Sequence, residues 1–150
     1  MNGLQQARAL AFALSAGLLG GAFTAQYGFG LYPCEMCWWQ RWPHFAALGL
    51  SALSFVIAPP RVWIALAGLA IITSGLIGGF HAGVEYGWWE GITGCSKLPS
   101  TIDVMDVAAA PLVRCDVAPW DLFGVSLAGW NFLISGFGGL AVMALAAFKK

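Results

Sequence analysis

Charge is the scarcest property of this chain. Lysine and arginine number seven and aspartate and glutamate seven, so only 9% of its 150 residues are charged and the formal net charge is zero. Soluble domains carry about 25% charged residues, which excludes the surface of an ordinary water-facing globule. There is no basic run, so nucleic acid is excluded as a partner on electrostatic grounds. Low-complexity tracts and internal repeats are missing as well. Cysteine is sparse, at four residues. The count is even, though, and two close together plus two far apart allow two disulfides or one metal site. The length suits a single domain.

Apolar residues fill the space that charge leaves, at 59% of the chain. A helix needs about 20 residues to cross a hydrocarbon core. Four charge-free segments meet that length, at 9–27, 42–60, 62–84 and 122–148. They predict an all-α membrane protein, a bundle of four transmembrane helices forming one integral domain over 1–150. Glycines recur within them (Gly17, Gly20, Gly21, Gly75, Gly78, Gly79, Gly136, Gly138, Gly139). In lipid, small residues let helices approach closely, so the spans read as a packed bundle. The first apolar run exceeds the 7–15 residues of a signal-peptide core, so it reads as a retained span.

Placement of the positive charges orients the bundle. Arg8, Arg61, Lys149 and Lys150 fall on one side of an even number of spans, and Arg41, Lys97 and Arg114 on the other. Because the rule counts lysine and arginine, both termini read as cytoplasmic, with external loops at 28–41 and 85–121. Trp38, Trp39, Trp42, Trp88, Trp89 and Trp120 then gather at the outer interface as an aromatic belt. Pro59, Pro60 and Arg61 allow only a tight turn between spans two and three. In the long loop, Ser100 or Thr101 can cap a short helix over 100–110, with Ile102, Met105 and Ala109 on one face against the membrane surface.

The chemistry concentrates in Pro33-Cys34-Glu35-Met36-Cys37-Trp38-Trp39-Gln40-Arg41-Trp42-Pro43-His44. Two residues between cysteines bring both sulfurs within bonding reach, so the pair can cycle between dithiol and disulfide. A helix starting here aims its free N–H groups at the sulfurs, and Arg41 follows Cys37 by one helical turn; both favour thiolate. Glu35 opposes them. Pro43 either begins span two or interrupts it. A zinc site would want a second close pair, which Cys95 and Cys115 are not. Those two are either a static loop staple or, facing the same side as a redox pair, its exchange partner. His81, near the outer end of span three, and His44 read on composition alone as hydrogen-bonded histidines. Two classes of function remain: a redox enzyme, or a non-catalytic membrane protein with stapled loops.

These motifs resemble the DsbB family of disulfide bond formation proteins. The resemblance rests on Cys34-x-x-Cys37-x-x-x-Arg41 after one span, and on Cys95, then Cys115-Asp116-x-x-x-Trp120-Asp121-x-x-Gly124 leading into the last span. His81 matches a histidine near the end of the family's third span. The resemblance implies a protein-disulfide:quinone oxidoreductase of the bacterial inner membrane, its redox loops facing the periplasm. A DsbA-like periplasmic thiol oxidase would attack Cys95 of a Cys95–Cys115 disulfide, and Cys115 would exchange with Cys34. Cys37 would be left as thiolate facing a quinone, ubiquinone or menaquinone, with Arg41 and His81 in the quinone pocket. No metal is implied. The implied partners are that oxidase, the membrane quinone pool and the lipid bilayer.

Overall fold

Asn2 starts the chain's first helix through a reciprocal cap: its side chain accepts from the Gln5 N–H at 2.9 Å while Gln5 Oε1 accepts from its own. The computed structural model describes residues 2–96 and 113–147. Within them run four long helices, α1 (Gly3–Phe23), α2 (Glu35–Val56), α3 (Pro60–Glu85) and α4 (Leu127–Ala147). A π-helical turn, Thr24–Gly28, extends α1, and two short strands, β1 (Asp121–Leu122) and β2 (Val125–Ser126), pair antiparallel ahead of α4. The helix expected over 100–110 and Lys97 lie outside the described residues.

The helices bury stripes spaced three and four residues apart, as a 3.6-residue period requires. On α2 these are Met36, Gln40, His44, Ala47, Ser51 and Ser54; on α1 they are Ala7, Ala11, Ser15 and Leu19. α1 packs on α2 and α4, and α3 packs on the same two. Ala7, Ala11, Ala47, Ile64, Ala67, Ile71, Val142 and Ala146 form a core toward the end that holds the N-terminus. There Arg8 donates through Nε to Ser54 Oγ at 3.0 Å and through Nη2 to the Ser54 carbonyl, tying α1 to α2.

Glycine sets the α3–α4 spacing. A Cβ on Gly75 would lie 2.9 Å from the Gly136 nitrogen, and one on Gly139 would lie 3.0 Å from the Gly68 carbonyl. Gly17, Gly20 and Gly21 on α1, by contrast, meet nothing within 4 Å. The close-approach reading therefore holds for α3 against α4 and not for these three.

Three stretches, Gly3–Gly28, Pro60–Glu85 and Leu127–Ala147, are long and apolar enough to cross a membrane. α2 matches them in length, at 22 residues, but Glu35, Gln40, Arg41 and His44 make its first half less apolar. α1 begins at Gly3 rather than Ala9 and α2 ends at Val56 rather than Pro60, and two boundaries beside the cysteines and the last span move as well. α2 begins at Glu35 rather than Trp42, so most of the expected 28–41 loop beyond Cys34 is helical and Pro43 sits inside the helix. Lacking an N–H, Pro43 leaves the Trp39 carbonyl without its helical donor. α4 begins at Leu127 rather than Leu122, because residues 121–126 make a hairpin. Phe123 and Gly124 take φ of 55° and 75°, the two left-handed positions of a type I′ turn. Asp121 Oδ2 accepts from the Gly124 N–H at 3.2 Å. The Tyr86 hydroxyl, just past α3, donates to the Gly124 carbonyl and accepts from the Ser126 N–H, at 3.2 and 3.0 Å.

Candidate functional site

Cys34 is the N-cap of α2, and its sulfur accepts from the Cys37 N–H at 3.1 Å. Of the helix starts that the motif left open, the structure takes the one at the first cysteine. Cys34 and Cys37 are free thiols with sulfurs 2.7 Å apart. Hydrogen bonding from Cys37 and burial push the Cys34 thiol up, so the proton the pair shares rests there.

Cys95 and Cys115 are joined by a disulfide, with Cα atoms 5.5 Å apart. Cys115 is fully buried and Cys95 half-buried. The Thr93 hydroxyl lies 3.2 Å from the Cys95 sulfur and donates to that of Cys115 at 3.5 Å. Cys34, Met36, Val84 and Cys115 form one buried cluster, with Cys37, Cys95, Phe80 and Val113 packed against it. All four cysteines therefore share one site although Cys37 and Cys95 stand 58 positions apart in the chain. Beside Cys115, Arg114 grips the Asp116 carboxylate at 2.8 Å and holds it below the usual carboxylate range.

Arg41 is buried, 6% exposed, so it does not reach out to lipid headgroups. Nη1 donates to Gln26 Oε1 at 2.6 Å and Nη2 to the Ala22 carbonyl at 3.3 Å. The guanidinium lies 5.0 Å from the Phe23 ring centre and 4.8 Å from that of Trp38. The π-helical turn holds Gln26; such irregular turns are frequent at functional sites.

His81 Nε2 lies 3.6 Å from the Cys34 sulfur and 3.7 Å from Glu85 Oε1. Its Nδ1 faces Gln40 Nε2 at 2.9 Å, and that same amide nitrogen donates to the Met36 carbonyl at 3.2 Å. Asn131 Nδ2 donates to Gln40 Oε1 and to the Ser74 carbonyl, at 2.9 and 3.1 Å. A backbone carbonyl only accepts, so Met36 and Ser74 fix both amides. Gln40 must donate to Nδ1, and the neutral imidazole carries its proton on Nε2, toward the sulfur and the carboxyl. The network continues to His44, whose Nε2 faces Asn131 Oδ1 and Ser135 Oγ, both at 3.2 Å.

Among α1, α2, α4 and the outer end of α3 lies a cavity of about 460 Å³. Cys37, Gln40, Arg41, His44, His81, Glu85 and Asn131 supply its polar wall, and Gly17, Gly21, Leu18, Leu127, Trp120 and Trp130 belong to its apolar one. That size and composition are those of a small-molecule site. The structure brings together the predicted Cys34, Cys37, Cys95, Cys115, Arg41 and His81. Sequence reasoning missed Gln26, Gln40, Ser74, Glu85, Asn131 and Ser135, and gave His44 no part. For Gln26, His44, Ser74, Asn131 and Ser135 one signal was present, since polar residues within apolar spans turn inward; Gln40 and Glu85 fell in the expected loops and carried no such signal.

A family model described as disulfide bond formation protein DsbB matches residues 5–147. The chain belongs to the DsbB family. Among its relatives, "Disulfide bond formation protein B" of Marinobacter nauticus is 28% identical over 135 residues, covering 81% of this chain and 79% of the relative. The protein of the same description from Xanthomonas oryzae pv. oryzae is 32% identical over 158 residues, covering 94% and 88%. That of Verminephrobacter eiseniae is 28% identical over 141 residues, covering 87% and 78%. No solved structure matches the chain. Family and apolar helices together make this a membrane protein of disulfide bond formation, with a redox role.

Proposed function

We propose that this protein oxidises a DsbA-like periplasmic thiol oxidase and passes the two electrons through its cysteine pairs to a membrane quinone. All four long helices, α1 to α4, then cross the bacterial inner membrane, with both termini cytoplasmic. The redox loops face the periplasm. The polar first half of α2 is covered by α1 and α3, so its inward groups need not meet lipid.

One observation carries this reading: the two cysteine pairs share a buried cluster, and one member, Cys37, also lines the adjoining cavity. The more open sulfur, Cys95, is the one an incoming thiolate reaches; that attack forms a mixed disulfide and releases Cys115. Cys115, packed in the cluster with Cys34, attacks it and breaks the Cys34–Cys37 bond, leaving Cys37 as thiolate. Exchange needs this sequence of nucleophile, target and leaving sulfur. The cavity fits a quinone head: apolar walls for the ring, and donors from Arg41 and other polar side chains for its carbonyl oxygens. A quinone there supplies a two-electron acceptor, and Arg41 offsets the negative charge of Cys37. DsbA itself is a strong oxidant, near −120 mV, so the acceptor must lie higher still.

The test is thiol trapping of purified protein, with and without a short-chain ubiquinone, alongside a reduced DsbA-type partner. We expect the Cys34–Cys37 pair to be oxidised only when quinone is added. Cys37→Ser should abolish quinone reduction, and Cys95→Ser should block oxidation of the partner. Cysteines that never cycle with quinone would overturn the reading in favour of a stapled, non-catalytic membrane protein.

A further inference from the structure

Glu85 ends α3 with a side chain only 2% exposed. Its Oε2 is buried with no hydrogen-bond partner, and the residue lines the cavity beside Cys37 and His81. Among the described residues no lysine or arginine pairs with it. A carboxylate here would be an uncompensated buried charge, which costs several kcal/mol. A neutral carboxylic acid carries no such cost and has an O–H to donate. Ser126 reaches the carboxyl from β2. Its oxygen accepts from the Gly129 N–H at 3.1 Å, so its own hydrogen is free for Glu85. The unpartnered oxygen is therefore the one left to serve a ligand.

We propose that Glu85 is the proton donor to the quinone, an inference that rests on the quinone-linked reading above. Oxidising the pair from its Cys34-thiol, Cys37-thiolate form removes two electrons and one proton as the S–S bond forms, and reducing a quinone to quinol takes up two electrons and two protons. Electrons pass through Cys37, but as thiolate that sulfur has no proton to give, so the proton needs a carrier of its own. Glu85 gives one proton to the nearer quinone oxygen and regains one from the Cys34 thiol as that sulfur is oxidised. The second proton, which the Cys37 thiolate cannot supply, is taken from solvent water to the other oxygen. Between these steps the Glu85 carboxylate faces the Nε2–H of His81 at 3.7 Å, close enough for a small movement to give a charge-assisted hydrogen bond.

The experiment compares wild type with Glu85→Gln, which keeps the volume and a donor but cannot release a proton. The first readout needs no quinone: infrared difference spectra between the disulfide and dithiol states should show a protonated-carboxyl band in wild type and lose it in Glu85→Gln. With a short-chain ubiquinone and dithiothreitol as reductant, we expect kcat to fall at least about tenfold, the loss of one proton-transfer group. KM should stay within about twofold, since the variant still donates to the ring oxygen, and Glu85→Asp should recover part of the rate. Wild-type quinone reduction with an unchanged Glu85→Gln rate, or with no carboxyl band assignable to Glu85, overturns this inference alone. A wild type that reduces no quinone overturns it together with the reading beneath it.

Discussion

Gln40 donates to His81 Nδ1 at 2.9 Å and so decides which imidazole nitrogen carries the proton. The consequence is testable by reversal. Gln40→Glu replaces the donor with a carboxylate, which accepts from Nδ1 and moves the neutral proton off Nε2. We expect nitrogen NMR of histidine-labelled protein to show His81 as the Nε2–H tautomer in wild type and Nδ1–H in the variant. The Cys34 sulfur then loses a donor worth about 1–3 kcal/mol, which slows its exchange steps roughly tenfold. Unchanged tautomer and exchange rate would show that Gln40 only fills space.

Arg41 holds the end of α1 through Gln26 Oε1 and the Ala22 carbonyl while it lines the cavity. Lysine keeps the charge but lacks the planar fork that reaches two acceptors at once. Arg41→Lys should therefore raise the quinone KM about tenfold, consistent with losing a charged hydrogen bond worth roughly 1.5–3 kcal/mol. Gln26→Ala, which removes one support and leaves the charge, should raise it less. Steady-state quinone reduction at varied quinone concentration checks both. Equal KM values for wild type and Arg41→Lys would leave the guanidinium a purely structural role.

The four long helices were legible because apolar runs of spanning length announce themselves through composition, and Cys34 and Cys37 because their spacing is itself chemical. The disulfide of Cys95 with Cys115 was legible only through family resemblance, since spacing alone admits a staple equally well. The boundaries misread had local causes. Glu35, Gln40 and Arg41 look like loop residues by polarity, yet all three lie on α2, where Glu35 stays exposed while Gln40 and Arg41 turn inward to His81 on α3 and to Gln26 in the turn that extends α1. The 121–126 hairpin looks like span because Leu122, Phe123 and Val125 are apolar, and only Asp121 and Gly124 mark the turn. Gln40, Glu85 and Asn131 act through contacts 41 to 91 residues away in sequence, or through a buried oxygen without a partner. No window of sequence displays such contacts.

Packing of α3 on α4 gives a paired stability test. At Gly75 an added Cβ would press on the backbone of Gly136 at 2.9 Å and on Ser135 Cβ at 3.2 Å, and backbone cannot yield as a flexible side chain would. Gly75→Ala should destabilise by about 1–3 kcal/mol, as overpacking does. Gly20, also mid-helix, faces open space, so Gly20→Ala should be neutral or stabilise by up to about 1 kcal/mol through helix propensity. Unfolding in detergent micelles titrated with dodecyl sulfate measures both. Equal effects at the two positions would refute the close α3–α4 contact.

The two thiols of the dithiol form should differ in reactivity, and pH separates them. Cys34 is 4% exposed, and the hydrogen bond with Cys37 together with burial raises its pKa. Cys37 is half-buried and lines the cavity. Thiolate is the reactive species, so near pH 7 iodoacetamide should label Cys37 first and leave Cys34 largely unmodified. A raised pKa means the Cys34 proton is retained through the range near 8.5 where a free thiol would lose it. Labelling of Cys34 in Cys37→Ser would not test this, because that variant removes the hydrogen-bonding thiol itself. The informative measurement is peptide mass mapping of wild type, reduced by its partner and labelled for a fixed time across a pH series. Cys37 modification should already be fast at neutral pH, and Cys34 modification should remain slow until well above the pH at which an unfolded control is labelled. Cys34 labelled as readily as Cys37 at neutral pH would contradict the proton placement, and with it the assignment of Cys37 as the sulfur that faces the acceptor.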